Sequence, residues 1–211
     1  MIDLKGQGFS GGSRCGGNKI QDFHKDISTL FKYVKPTLPL FLYGHSMGGL
    51  SVASYLANNP NLKISGMILS APLLAMSERA KIDEVKRGLI KALASQFDEL
   101  VINPLIPVNL ICRDPRVMRD FLTNRKVVPF ISLGLTRSML EYIDDIPYNL
   151  GHFHYPYLIM IAEKEAIVSN SGAKLFHQKS ASKDKELVEF KDCFHELHKE
   201  PNKDEILSKV L

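Results

Sequence analysis

Apolar residues along the chain fall into two kinds of pattern. Short, almost unbroken runs rich in β-forming residues recur at Leu38 to Tyr43, Gly66 to Leu69, Tyr157 to Ile161 and Leu187 to Phe190, which is how strands buried on both faces read. Between them, apolar residues recur three and four apart. Ile20, Phe23, Ile27, Leu30, Phe31 and Val34 predict a helix over residues 20–34, and a second is predicted over residues 48–58, where a glycine pair gives way to SVASYLAN. Strands and helices in alternation predict an α/β fold with a doubly wound, mostly parallel sheet.

From residue 73 to residue 150 the alternation stops. Ile82, Val85, Leu89, Ile90, Leu93 and Phe97 make an amphipathic stripe, and Pro104, Pro107 and Pro115 divide the next stretch of chain into shorter pieces. The expected organisation is a core in two parts, residues 1–72 and 151–211, with a helical cap over residues 73–150 covering the carboxyl ends of the strands, where ligands bind in such sheets. The stripe is expected to face inward as the wall of a pocket.

Composition narrows the class. With 211 residues, 45% hydrophobic and 24% charged, the chain can build one domain with a buried core, and disordered, collagenous and coiled-coil chains are excluded. The net charge of +4 is spread among interleaved acids, so no nucleic-acid partner is expected. Cys15, Cys112 and Cys193 are far apart and read as free thiols of a reducing compartment. The start, MIDLKGQGFSGG, lacks the basic and apolar regions of a secretory signal, and the most apolar stretch, Leu38 to Ala57, is broken by Pro39, His45 and two adjacent glycines. A cytoplasmic protein without a membrane span is expected.

The chemistry concentrates in Gly44-His45-Ser46-Met47-Gly48-Gly49, which comes after the run LPLFLY and precedes a helix. A G-x-S-x-G at a strand-to-helix turn places the serine on a strained backbone with its Oγ at the top of the sheet. Gly44 and Gly48 read as the residues the turn keeps small. The helix directs its first amides at the same spot, so the Met47 N–H is placed to donate to an oxyanion. Ser46 needs a base and a carboxylate to orient that base. His195, just past a strand and before the terminal helix, is the candidate base.

Three segments, GHSMGG, GMILSAP at residues 66–72 and DLKGQGFSGG near the start, resemble the α/β-hydrolase superfamily, and within it the monoacylglycerol lipase and lysophospholipase branch. The resemblance runs over essentially the whole chain. It implies a helical cap after the S-A-P strand, an acid after the next strand and a histidine near the end. Phe194-His195-Glu196-Leu197-His198-Lys199-Glu200 is similar to the branch's aromatic-His-x-x-His-Lys-Glu and makes His195 the base, with His198 the structural alternative. Aligning Val168 with the valine of Gly-x-x-Asp-x-x-Val puts Glu165 at the acid position and Ala162 at the glycine position, two departures from that pattern. Glu163 and Asp192 are the alternative acids.

Other motifs carry less. Gly6-Gln7-Gly8-Phe9-Ser10-Gly11 has the letters of a dinucleotide fingerprint without the preceding strand, so residues 5–19 read as a loop, with Asp3 hydrogen-bonding its amides. Neither His152 with His154, nor Cys193 with His195 and His198, supplies a clear ligand set, and no metal or cofactor is expected. The resemblance further implies a lipid ester substrate, a tendency to sit on membranes, and a second oxyanion donor from a segment that, with the first strands, would lie upstream of Met1. A peptidase of the same fold and a catalytically impaired hydrolase-like binding protein are the alternative readings.

Overall fold

The computed structural model describes residues 2–14, 16–35, 37–80, 82–104, 106–128 and 130–210; Cys15 lies outside them. A glycine-bent loop leads into α1 (Ile20–Leu30), whose Ile20, Phe23 and Ile27 are buried as the spacing predicts. β1 (Phe41–His45) runs directly into α2 (Met47–Ala57), and β2 (Gly66–Ser70) comes next. The segment after it holds α3 (Glu84–Gln96), β3 (Val101–Ile102), α4 (Pro115–Thr123), β4 (Ile131–Ser132) and α5 (Leu133–Asn149). β5 (Tyr157–Ala162), α6 (Asn170–Lys179), β6 (Lys185–Phe190) and α7 (Lys203–Leu207) complete the order.

β1, β2, β5 and β6 form a parallel sheet in that spatial order, and β3 pairs antiparallel with β4 as a separate ribbon. The sheet has helices on both faces. On one, Leu42, Met67, Leu69, Tyr157, Ile159 and Ile161 pack with buried residues of α1, α2, α5 and α6. On the other, Met160, Ala162 and Phe190 pack with Cys193, Leu197 and Ile206 of the C-terminal segment. α5 contributes Leu135, Met139, Ile143 and Ile146 to the larger core, so this helix braces α1 and α2 directly. β1 stands at one end of the described sheet, with Phe41 and Tyr43 exposed.

The stripe expected to line a pocket does not do so. Within α3 only Ala94 is buried, while Val85 is 83%, Leu89 57% and Phe97 55% exposed. Periodicity sets which residues share a helix face. It does not decide whether that face meets protein or solvent, and here the helix lies with most of its apolar stripe outward. The helix is instead anchored by Arg87, whose guanidinium donates to both Asp144 oxygens at 2.9 and 2.7 Å.

Candidate active site

Ser46 sits between β1 and α2 with φ 53° and ψ −119°, a conformation costly for a residue with a side chain. Three neighbours hold it. Ser46 N donates to Ser70 O at 3.0 Å, and Ser46 O accepts from Leu73 N at 3.0 Å and Leu50 N at 3.2 Å. The end of β2 and the segment just beyond it, Ser70 to Leu73, therefore grip both backbone polar groups of the serine. Ala71 in that segment is itself at φ 42°, and its N–H donates to Met160 O at 2.8 Å, which ties the elbow to β5.

The glycines divide differently from the sequence reading. A Cβ at Gly44 would lie 2.5 Å from Gly48 O and 2.8 Å from Gly49 Cα, so Gly44 must be bare. A Cβ at Gly49 would lie 2.7 Å from Pro72 Cβ. At Gly48 it would meet nothing within 4 Å. The steric demand placed on Gly48 thus belongs to Gly49, because it is the third residue after the serine that packs against the segment beyond β2. Met47 opens α2, so its N–H is among the first-turn amides without an intrahelical partner.

The histidine and the acid meet. His195 Nδ1 and Glu165 Oε2 are 2.9 Å apart, with the two side chains 6% and 2% exposed. The second Glu165 oxygen accepts from the backbone N–H groups of Ala166, Ile167 and Val168 at 3.0, 2.8 and 3.3 Å. Fixed this way, the carboxylate presents one oxygen to Nδ1–H and leaves Nε2 of His195 with its lone pair free. The alternative acids are engaged elsewhere: Glu163 Oε2 accepts from Asp192 N at 2.9 Å, and Asp192 pairs with Lys164 at 2.5 Å.

The His195 ring packs 4.8 Å, centroid to centroid, from that of His45, the residue before Ser46. Between Ser46 Oγ and His195 themselves, no hydrogen bond is present among the described residues. His45 Nδ1 donates to Ser70 O at 3.0 Å. Burial, reinforced by the neighbouring His195, pushes the His45 imidazole down to about 3, so it is neutral and its Nε2 carries no proton. His45 Nε2 lies 3.8 Å from Glu196 Oε1, and His198 Nε2 lies 3.2 Å from Glu196 Oε2. His198 also packs against His45 with centroids 5.1 Å apart. It thus belongs to a cluster beside His195. The sequence assigns His45 no role, because the motif leaves the position before the serine unspecified and nothing in the chain's order places His195 and His198 against it.

Cys112 and Cys193 are buried free thiols, and burial raises the pKa of each. Among the described residues no three His, Cys, Asp or Glu side chains converge as for a metal ion, and no helix is long and apolar enough to cross a membrane. In the N-terminal loop Asp3 Oδ2 accepts from Phe9 N at 2.9 Å.

Known proteins resemble this chain over most of its length. Residues 1–202 match the family described as serine aminopeptidase, S33 (Hydrolase_4). The monoacylglycerol lipase of Mycolicibacterium smegmatis is 28% identical over 213 residues, covering 99% of this chain and 75% of the lipase. An uncharacterised abhydrolase domain-containing protein of Dictyostelium discoideum is 27% identical over 211 residues, which are 100% of this chain and 22% of that protein. This chain thus spans under a quarter of the latter and three quarters of the former. Among solved structures, a monoacylglycerol lipase of Paleococcus ferrophilus superposes with a TM-score of 0.89 at 26% identity, covering 99% of this chain and 79% of the other. With its parallel sheet and an elbow serine between β1 and α2, the chain belongs to the serine aminopeptidase S33 family of α/β hydrolases.

Proposed function

We propose that the chain carries the nucleophile, base and acid of a serine hydrolase acting on carboxylic esters of lipids, monoacylglycerols or lysophospholipids. The observation that carries this reading is the buried Glu165–His195 hydrogen bond, 2.9 Å long, standing beside a serine on a strained elbow. In this reading His195 Nε2 takes the Ser46 proton as Oγ attacks the ester carbonyl, Glu165 holds the imidazole, and the Met47 N–H donates to the oxyanion. The imidazolium returns that Ser46 proton to the departing alcohol as the intermediate collapses to the acyl-serine. Water, deprotonated by His195, then attacks the acyl group, and the proton taken from the water goes to Ser46 Oγ as the fatty acid leaves. Chemistry of this kind needs no metal or organic cofactor.

The lipid substrate is supported by the relatives named monoacylglycerol lipase. It is supported also by α3, whose Val85, Leu89 and Phe97 offer an exposed apolar face suited to contact with a lipid surface. A fluorophosphonate probe tests the nucleophile directly. It should label the full chain once, and neither Ser46→Ala nor His195→Ala should be labelled at a comparable rate. Labelling that survives Ser46→Ala ends the assignment.

A further inference from the structure

The peptide N–H groups on either side of His195 both connect to residues 111–113 before α4, that of Glu196 directly and that of Phe194 through Glu200. Glu196 N donates to Ile111 O at 2.7 Å. Phe194 N donates to Glu200 Oε1 at 3.1 Å, and the same oxygen accepts from Arg113 N at 3.1 Å. The other Glu200 oxygen takes the Arg113 Nε–H at 2.5 Å. Glu200 is fully buried at 0% exposure. Arg113 also donates to Asn202 Oδ1 at 2.7 Å, and the neighbouring Cys112 thiol donates to Lys199 O at 3.3 Å. Residues 111–113 and 193–202 thus close a clamp with His195 inside it.

Burying a carboxylate is costly even when it is paired, and an apolar contact of similar volume would hold two segments together at least as well. What the ion pair adds is direction. Each Glu200 oxygen has a fixed partner, so the carboxylate cannot rotate without releasing Phe194 N or the guanidinium. That precision is wasted on a surface loop and valuable beside a general base, which must reach its proton donor within about 2.6–3.2 Å. A displacement of about 1 Å costs roughly a hundredfold in rate.

We infer that Glu200, oriented by Arg113, is a positioning residue for the His195 imidazole and couples the segment before α4 to the base. This rests on the reading of His195 as base, and the test separates the two. Arg113→Lys keeps the charge beside Glu200 but loses the guanidinium geometry, and Arg113→Met with Glu200→Gln removes both charges together, leaving no unpaired buried charge. Each full-length variant is compared with the unaltered chain by solvent exchange of the His195 Nδ1–H proton, read by NMR, and by the rate of fluorophosphonate labelling. Exchange faster by about tenfold and labelling slower by about tenfold, in variants that retain cooperative unfolding, are expected; tenfold corresponds to 1.4 kcal/mol of lost orientation. Unchanged exchange and labelling in Arg113→Lys would overturn the inference. Labelling that persists in His195→Ala overturns the reading of the base instead, whatever the clamp variants do.

Discussion

Three glycines surround the elbow, and the structure assigns them unequal tasks that stability measurements can separate. In Gly44→Ala the new methyl would stand 2.5 Å from Gly48 O and 2.8 Å from both Gly48 C and Gly49 Cα. All three are backbone atoms, so no rotamer change relieves the overlap and the elbow itself must open. Overpacking a fixed interior costs about 1–3 kcal/mol, and the expected loss is at the upper end, about 3 kcal/mol, because Ser46 is simultaneously held by Ser70 O and Leu73 N. In Gly49→Ala the methyl meets Pro72 Cβ at 2.7 Å and Pro72 Cα at 3.0 Å. The Pro72 ring can shift slightly, so a loss of about 2 kcal/mol is expected. In Gly48→Ala nothing lies within 4 Å. Replacing a helical glycine by alanine then gains about 0.5–1 kcal/mol, partly by restricting the unfolded chain. Urea unfolding monitored by circular dichroism reads all three. If Gly48→Ala loses as much stability as Gly44→Ala, the steric account of the elbow is wrong.

Glu165→Gln should slow fluorophosphonate labelling by about 10³- to 10⁴-fold, the effect of presenting an imidazole with an amide where it needs a carboxylate, and a change below tenfold would remove Glu165 from the site. His24, bonded to Ser54 Oγ at 2.8 Å and edge-on to Tyr55 and Tyr142, is pushed by burial down to about 4. A histidine neutral in the fold and protonated in the unfolded chain contributes stability above its unfolded value near 6.5. That contribution falls as pH drops towards 4, by about 2 kcal/mol between pH 7 and pH 5. Denaturation at both pH values should show His24→Asn losing less on acidification than the unaltered chain, and equal losses would refute the burial argument. Val85→Ser with Leu89→Ser on α3 should weaken binding to phosphatidylcholine vesicles by at least about a hundredfold, since each apolar side chain withdrawn from water is worth about 1.5–3 kcal/mol; sedimentation showing equal binding would place the lipid contact elsewhere.

The parallel sheet was legible through its two central strands, β2 and β5, which are buried along almost their whole length. The expectation of burial on both faces fails for the outer strands: Phe41 and Tyr43 of β1 are exposed and most of β6 is half-buried or exposed, because each of them pairs with only one neighbour in the described sheet. The elbow was legible because a strained serine requires glycine at a fixed offset, although the offset on the helix side was placed one residue early. Glu165 was legible only by resemblance, since its extra methylene removes the aspartate that the pattern calls for. The direction in which α3 faces was not legible, because an amphipathic stripe has the same period against a core, a partner or solvent. Nor were the partners of Glu200. A glutamate late in a polar segment reads as surface, and only the return of residues 111–113 to the histidine loop, more than 80 positions away in sequence, buries it.

The acids that competed with Glu165 have a task of their own. Asp192 and Glu163 both join the acid loop to the histidine loop: Glu163 accepts from Asp192 N, Lys164 N donates to Cys193 O at 3.0 Å, and Lys164 pairs with Asp192. These cross-ties set the distance between the two loops whose tips carry Glu165 and His195, while leaving the imidazole untouched. Asp192 also stands at φ 57°, a conformation that glycine adopts without strain. Asp192→Gly therefore relieves backbone strain at the expense of an exposed ion pair, and exposed pairs contribute little. The variant should be as stable as the unaltered chain or more so in urea, and its Ser46 should be labelled at the same rate, because the backbone N–H that Glu163 accepts is still present. A collapse of labelling in Asp192→Gly, with stability intact, would mean that this carboxylate orients the base after all and that the Glu165 contact is incidental.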